Sequence, residues 1–350
     1  TERSGWNEKI KSTRTDQPHI RRGIGAASMV HVGGGAKIYK SDGCGTILKM
    51  DDFGHVTLLT GSSEIGQGSE TVLAQIVGEE LGLGLDAITV INNDTELTPW
   101  DVGVHASRTT FIAGNSARLA AKKARLKLLG VAAAKIGVDP ATLDIRQGQI
   151  VNDEDGEVIV SLAKVIRGIH FSKKNDVIVT HYYYEPPSHK QDREFKGDVS
   201  AAYAFATQVA EVEVDMATGV VRVKKLTAVH DIGRIINQLG AEGQVQGGLS
   251  MGLGYALTEE LVVEGGRVMN PSFREYKLVT SPEMPPLDIS FVESMDPEGP
   301  YGAKGIGEAP AICTAPAVAN AVRHATGGAF TALPLTPERV YMELHGEQGV

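Results

Sequence analysis

Cysteine is nearly absent: Cys44 and Cys313 are the only two thiols in 350 residues. They cannot build a disulfide framework or a four-cysteine iron–sulfur site, and they fit a reducing compartment, read here as cytoplasmic. Aromatic residues make up only 5% of the chain, so an aromatic-rich core is excluded. The ten histidines are scattered without a zinc-protease spacing and read as surface or satisfied core residues. No Gly-x-Ser-x-Gly elbow marks a serine hydrolase, and no glycine loop ends in the Gly-Lys-Ser/Thr of a P-loop. The net charge is −9, with no basic stripe to attract a nucleic-acid backbone. No apolar run reaches transmembrane length and no signal peptide is visible, so no membrane role is expected. The chain begins Thr1-Glu2-Arg3 rather than with Met, which reads as a processed product or part of something longer.

What the chain does have is glycine, 41 of them, pointing to tight turns and close backbone packing. Residues 1–35 read as a polar lead-in. A strand over 55–60 runs into Gly66-Gln67-Gly68-Ser69 and a helix over 70–81, whose apolar positions keep helical spacing. An extended stretch follows at 87–92, then a helix over 117–136 rich in Ala, Leu and Lys. Asp155-Gly156 marks a hairpin turn, and 162–169 fits a short helix. Tyr182-Tyr183-Tyr184-Glu185-Pro186-Pro187 and the charged run after it read as an irregular exposed segment and a boundary. Beyond it, 207–215 and 220–229 form a hairpin, 240–261 a glycine-dotted helix, and Gly265-Gly266 another hairpin turn. Hairpins mixed with long helices predict an α+β fold rather than a doubly wound parallel sheet, with two α/β subdomains over 1–190 and 191–350.

Four segments carry candidate chemistry. In Gly302-Ala303-Lys304-Gly305-Ile306-Gly307-Glu308, a carboxylate follows three glycines just ahead of a helix over 314–322 with Thr314 as N-cap. Such an acid is a candidate general base, or a loop glutamate facing water. Strand, Gly66-Gln67-Gly68, helix is an anion-cradle pattern, or a plain strand-to-helix turn. Ser107-Arg108-Thr109-Thr110 offers a forked donor and hydroxyls to a diphosphate, or simply caps a helix. In 233–248, glycines interrupt a helix-forming stretch around Gln244, whose amide can face a heterocycle edge. Close helix packing would explain the same glycines.

Together these segments resemble the molybdenum hydroxylases of the xanthine dehydrogenase and aldehyde oxidase family. Glu64-Ile65-Gly66-Gln67-Gly68, Ala106-Ser107-Arg108-Thr109-Thr110, Gly233-Arg234-Ile235-Ile236-Asn237 with Gly243-Gln244, and Gly302 to Glu308 stand in the family's order over nearly the whole chain. The resemblance is to the C-terminal half of the molybdenum-binding subunit, and split subunits of this kind exist, as in nicotinate dehydrogenase. It implies a molybdopterin, as the cytosine dinucleotide, whose dithiolene holds the metal without protein ligands. Gly66, Gln67 and Gly68 would lie near pterin and metal, Ser107, Arg108, Thr109 and Thr110 would hold phosphates, Gln244 would bond the pterin, and Lys304 and Gly305 would complete the cofactor-binding set.

The resemblance further implies hydroxylation of an electron-poor carbon of a nicotinate- or purine-like heteroaromatic with water-derived oxygen. Glu308 would be the base, deprotonating an oxygen on the metal, with a pKa that burial raises and the metal's charge complicates. The implied partners are a larger molybdopterin subunit supplying the N-terminal half of the site, a subunit with 2Fe–2S clusters, an FAD subunit and a small-molecule substrate. The same motifs also suit a dehydroxylating aryl-CoA reductase of the 4-hydroxybenzoyl-CoA type, or a non-catalytic cofactor scaffold or insertion protein.

Overall fold

The computed structural model describes residues 2–173 and 176–346. A short helix α1 (Trp6–Lys9) leads into β1 (Ile20–Val32), followed by β2 (Cys44–Met50) and β3 (Val56–Thr60). Helix α2 (Ser69–Leu81) connects to β4 (Ile88–Ile91), and the long α3 (Thr109–Ile136) follows. Strands β5 (Leu143–Arg146), β6 (Gln149–Asn152) and β7 (Val158–Ser161), then α4 (Leu162–His170) and β8 (Val179–Tyr184), complete the first half. The second half comprises β9 (Tyr203–Asp215), β10 (Val221–Asp231), α5 (Gln238–Leu257), β11 (Val263–Glu264), β12 (Arg267–Val268), β13 (Leu287–Val292), α6 (Ala309–Ile312), α7 (Thr314–Thr326) and α8 (Pro337–His345). This is the α+β fold expected, with mixed hairpin sheets and helices in two layers.

One core lies between the sheet β4-β3-β2-β8 and helices α2 and α3, its residues drawn from 44–202. Strands β3 and β4 are parallel with α2 as the crossover, while β2 pairs antiparallel with both β3 and β8. Helix α3 is 28 residues long, and Ala113, Ala117, Ala120, Ala121 and Ala124 on it are fully buried. Small side chains let so long a helix lie close against its neighbours. The other core lies between the sheet β1-β9-β10-β13 and helices α5 and α7, with residues drawn from 210–340.

The sequence reading needs correction in several places. The lead-in over 1–35 contains β1, a 13-residue strand in antiparallel register with β9, so that it belongs to the second core rather than to a 1–190 unit. Its strand pattern is masked by Gly23 and Gly25, where a Cβ would overlap the backbone of α7 at Ala321. The tyrosines 182–184 end β8 instead of forming an irregular segment. Helix α3 starts eight residues before the expected 117, because its first two turns are held by burial rather than by propensity. Thr314 is not an N-cap: its buried hydroxyl donates to Gln208 Oε1 (2.7 Å) and Pro310 O (3.1 Å), and Cys313 takes the cap position. Among the described residues no helix is long and apolar enough to cross a membrane.

Candidate active site

Glu308 stands at the start of the short α6, at the end of a loop pinned by three bonds to two other segments. Arg234 N–H donates to Gly302 O (2.9 Å), Lys304 N–H to Ile232 O (2.8 Å) and Gly305 N–H to Gly33 O (2.7 Å). These bonds bring the loop onto the turn before α3. There Ala106 (φ 48°) and Ser107 (φ 52°) are consecutive non-glycine residues in the left-handed region, a costly conformation that persists only where surroundings enforce it. Ser107 Oγ donates to Glu308 Oε2 (2.9 Å) and accepts from the Glu308 N–H (3.0 Å). His31 Nε2, from β1, lies 3.1 Å from the same Oε2 and 3.2 Å from Ser107 Oγ.

The Glu308 pKa is lowered, not raised as expected from burial. The hydrogen bond from His31 is the main cause, burial works against it, and the Ser107 hydroxyl adds to the lowering. The expectation fails because the carboxylate side chain is 56% exposed and well supplied with donors.

Glu308, Gln67, Ser107, Thr109, Thr110, Gln244 and Gly305 share one cavity of about 280 Å³, which Arg108 also borders. The Thr109 hydroxyl is buried without a partner, and the Gln244 amide and Glu308 Oε1 make no hydrogen bond to any described residue. The α3 N-terminus lacks a side-chain cap, so its first-turn N–H groups favour an anion.

Other candidates are placed differently. The Arg108 side chain is fully buried and engaged: Nη1 donates to Asp101 Oδ1 (2.8 Å), Asp101 Oδ2 (2.9 Å) and Gly103 O (2.9 Å), and Nη2 to Asp42 O (2.6 Å) and Gly43 O (2.9 Å). Its Nε faces Asp42 Oδ1 at 3.1 Å. That Nε makes no hydrogen bond but is buried against Asp42, and the guanidinium expected as a forked phosphate clamp is turned instead to these protein acceptors, bracing the turn from behind. Burial pushes Asp42 up to about 6 despite Arg108 beside it. Lys304 likewise turns away from the cavity, its Nζ on Asp231 Oδ2 (3.0 Å) and Tyr203 O (2.9 Å).

The expected anion cradle at Gly66 and Gly68 is filled by the chain itself. Glu64 Oε1 accepts from Gly66 N–H (2.7 Å) and Gly68 N–H (3.0 Å), and its Oε2 from Ser69 Oγ (2.9 Å) and Glu70 N–H (3.1 Å). Burial alone would raise the Glu64 pKa, but these four bonds outweigh it and hold the carboxyl low. The Gln67 side chain folds back on its own loop, accepting from Ile65 N–H (2.7 Å) and donating to Ser63 O (3.0 Å).

Sequence reasoning missed His31 and His105. His31 lies 277 residues from Glu308, and only the β1 register signals it: Met29, two positions earlier on the same strand face, packs with Ala309 and Cys313. His105 lines the cavity two residues before Ser107, and burial, then the Arg108 charge, lowers its pKa. Its closeness to the hydroxyl cluster was the available signal.

The residues present fit a molybdopterin: an orphaned hydroxyl, a free amide, uncapped helix N–H groups and a free carboxylate oxygen surround one cleft. Fold and cleft thus define a two-core domain built to hold a cofactor. Comparison with known proteins makes the assignment specific. The pattern of the molybdopterin cofactor-binding domain family matches residues 1–285, and the chain belongs to that family. It is 35% identical over 356 residues to the xanthine dehydrogenase molybdenum-binding subunit of Escherichia coli O157:H7, covering 97% of this chain and 44% of that one. It is 32% identical over 348 residues to the 6-hydroxypseudooxynicotine dehydrogenase complex subunit gamma of Paenarthrobacter nicotinovorans, covering 98% and 42%. The crystal structure of quinoline 2-oxidoreductase from Pseudomonas putida 86 superposes with a TM-score of 0.85 at 25% identity, covering 93% of this chain and 42% of that one. The chain thus spans less than half the length of the relatives it matches.

Proposed function

We propose that this chain forms one wall of the active site of a molybdenum hydroxylase acting on an electron-poor carbon of a heteroaromatic substrate. The observation that carries the reading is that Glu308 shares its cavity with Gln67, Ser107, Thr109, Thr110, Gln244 and Gly305, residues drawn from four distant segments. When bound, molybdopterin, here as the cytosine dinucleotide, supplies a Lewis-acidic metal and a two-electron acceptor. Thr109, Thr110 and the first-turn N–H groups of α3 hold its anionic part, and the Gln244 amide bonds the pterin edge. Glu308, whose carboxyl is held below its ordinary range by the His31 hydrogen bond first and the Ser107 hydroxyl after it, would accept a proton from the substrate side of the cavity.

A larger molybdopterin subunit completes the pocket, and 2Fe–2S and FAD subunits take the electrons. This agrees with the chain's share of its relatives' length and with its two cysteines, too few for a cluster of its own. The names of two relatives, a 6-hydroxypseudooxynicotine dehydrogenase subunit and a quinoline oxidoreductase, support a heteroaromatic substrate class. The test is Glu308→Gln in the natively purified complex. Molybdenum content stays at the wild-type level while turnover falls by at least about 10²-fold, the contribution of a general base. A cofactor-replete variant with near-normal turnover refutes the role.

A further inference from the structure

We propose that His31 and Ser107 are joint positioning residues that clamp one oxygen of the Glu308 carboxylate and so present the other to the cavity as the proton acceptor. The inference rests on the reading of Glu308 as the base. Both protein donors converge on Oε2, Ser107 Oγ at 2.9 Å and His31 Nε2 at 3.1 Å, whereas Oε1 has no hydrogen bond to any described residue. The Ser107 hydroxyl has one proton to give and two lone pairs. Donating to Oε2, it still accepts from the Glu308 N–H at 3.0 Å, so one hydroxyl fixes both the side chain and the backbone of residue 308.

The clamp is itself held from behind. His31 projects from β1 with its side chain only 17% exposed, and Ser107 is fixed in a left-handed turn braced by the buried Arg108. Gly305 and Gly307 let the base loop ride against Ser107: a Cβ at 305 would overlap its carbonyl oxygen, and one at 307 would come within 3.3 Å of its hydroxyl. The other titratable groups around Glu308 are His105, which precedes Ser107 on the same loop, and Arg108, whose charge is taken up by Asp42 and Asp101. Lys304 is turned to Asp231 on the far side of the loop. The clamp therefore divides the labour of one carboxylate. One oxygen is anchored, and the group is kept ionised without its reactive lone pairs being used up.

The test reads Glu308 directly in the chain without cofactor, labelled with ¹³Cδ-glutamate and titrated by NMR, the resonance being assigned by its loss in Glu308→Gln. His31→Leu moves the Glu308 midpoint upward. Ser107→Ala does the same and serves if the leucine variant does not fold. His31→Gln, which keeps an N–H donor, stays near wild type. A midpoint that moves in neither His31→Leu nor Ser107→Ala overturns the clamp. In the loaded complex, His31→Leu lowers kcat on the order of 10-fold through misplacement of the base, with KM unchanged, and the acid limb of the pH–rate profile moves up with the NMR midpoint. A change in KM alone overturns the positioning role. If Glu308→Gln keeps turnover while the midpoint shifts stand, the base reading fails and the clamp survives as a structural contact.

Discussion

Gly305 and Ser107 meet backbone to backbone, so closely that a Cβ at position 305 would overlap the Ser107 carbonyl oxygen. The contact joins the loop carrying Glu308 to the strained turn that opens α3. Gly305→Ala must force the two apart. We expect it to cost about 1–3 kcal/mol of stability, read as a lower thermal midpoint, and to lower cofactor content in the purified complex. Wild-type stability and cofactor content together would show that the loop has room the structure denies it.

Thr109→Val separates folding from binding. The Thr109 hydroxyl is buried without a partner, so replacing it by a methyl group of similar size leaves the stability of the cofactor-free chain unchanged or slightly raised. Cofactor affinity falls roughly 10-fold or more, the loss of one hydrogen bond to a charged ligand. Equal pterin release in variant and wild type would remove Thr109 from the binding set.

Arg108→Ala behaves oppositely. Removing the guanidinium strands two buried carboxylates, Asp42 and Asp101, whose side chains are 2% and 1% exposed. The expected loss is about 3–5 kcal/mol, visible in denaturant unfolding whether or not cofactor is present. Arg108→Lys does not rescue it, because one ammonium cannot serve five acceptors in a planar fork. A variant of normal stability that only loses cofactor would restore Arg108 to the role of phosphate ligand.

Asp42 gives a pH signature with a definite sign. Its carboxyl is raised from 3.8 to about 6 by burial, which outweighs the attraction of Arg108. The folded state therefore holds this proton more tightly than the unfolded one, and the group's contribution to stability falls as pH rises from about 4 to about 6. Asp42→Asn removes that slope. The thermal midpoint of the variant minus that of wild type should grow across this window and level off above it. A difference that shrinks instead would show that pairing with Arg108 dominates over burial.

Local sequence made some of this legible and hid the rest. The Glu308 loop, Gln244 and the hydroxyls at 107, 109 and 110 could be singled out because glycine, proline and capping residues mark turns within a few positions. Helix α2 was readable from its apolar spacing, but its part as the crossover between parallel β3 and β4 was not, because strand pairing is set by contacts outside the local sequence. The partners of Arg108 and Lys304 were not readable, because a free cation and a buried, paired one look alike in sequence. Nor was Glu64's occupation of the α2 N-terminus, since the same glycines that invite a phosphate invite a carboxylate two residues away. Strand β1 escaped because its glycines make room for α7, a helix about 300 residues further on.

The bond between His31 and Glu308 spans 277 residues. It closes only when β1 and the loop ahead of α6 have been brought together beside the sheet β1-β9-β10-β13. Closing so long a loop carries an entropic cost that nearby contacts must first offset. The contact at Glu308 therefore carries a high loop-closure cost, whereas the turn at 105–109 is built from residues close in sequence. The pairing of Ser107 with Glu308 thus depends on tertiary assembly rather than on local propensity, and substitutions far from both residues that loosen the β1–β9 pairing should loosen it too.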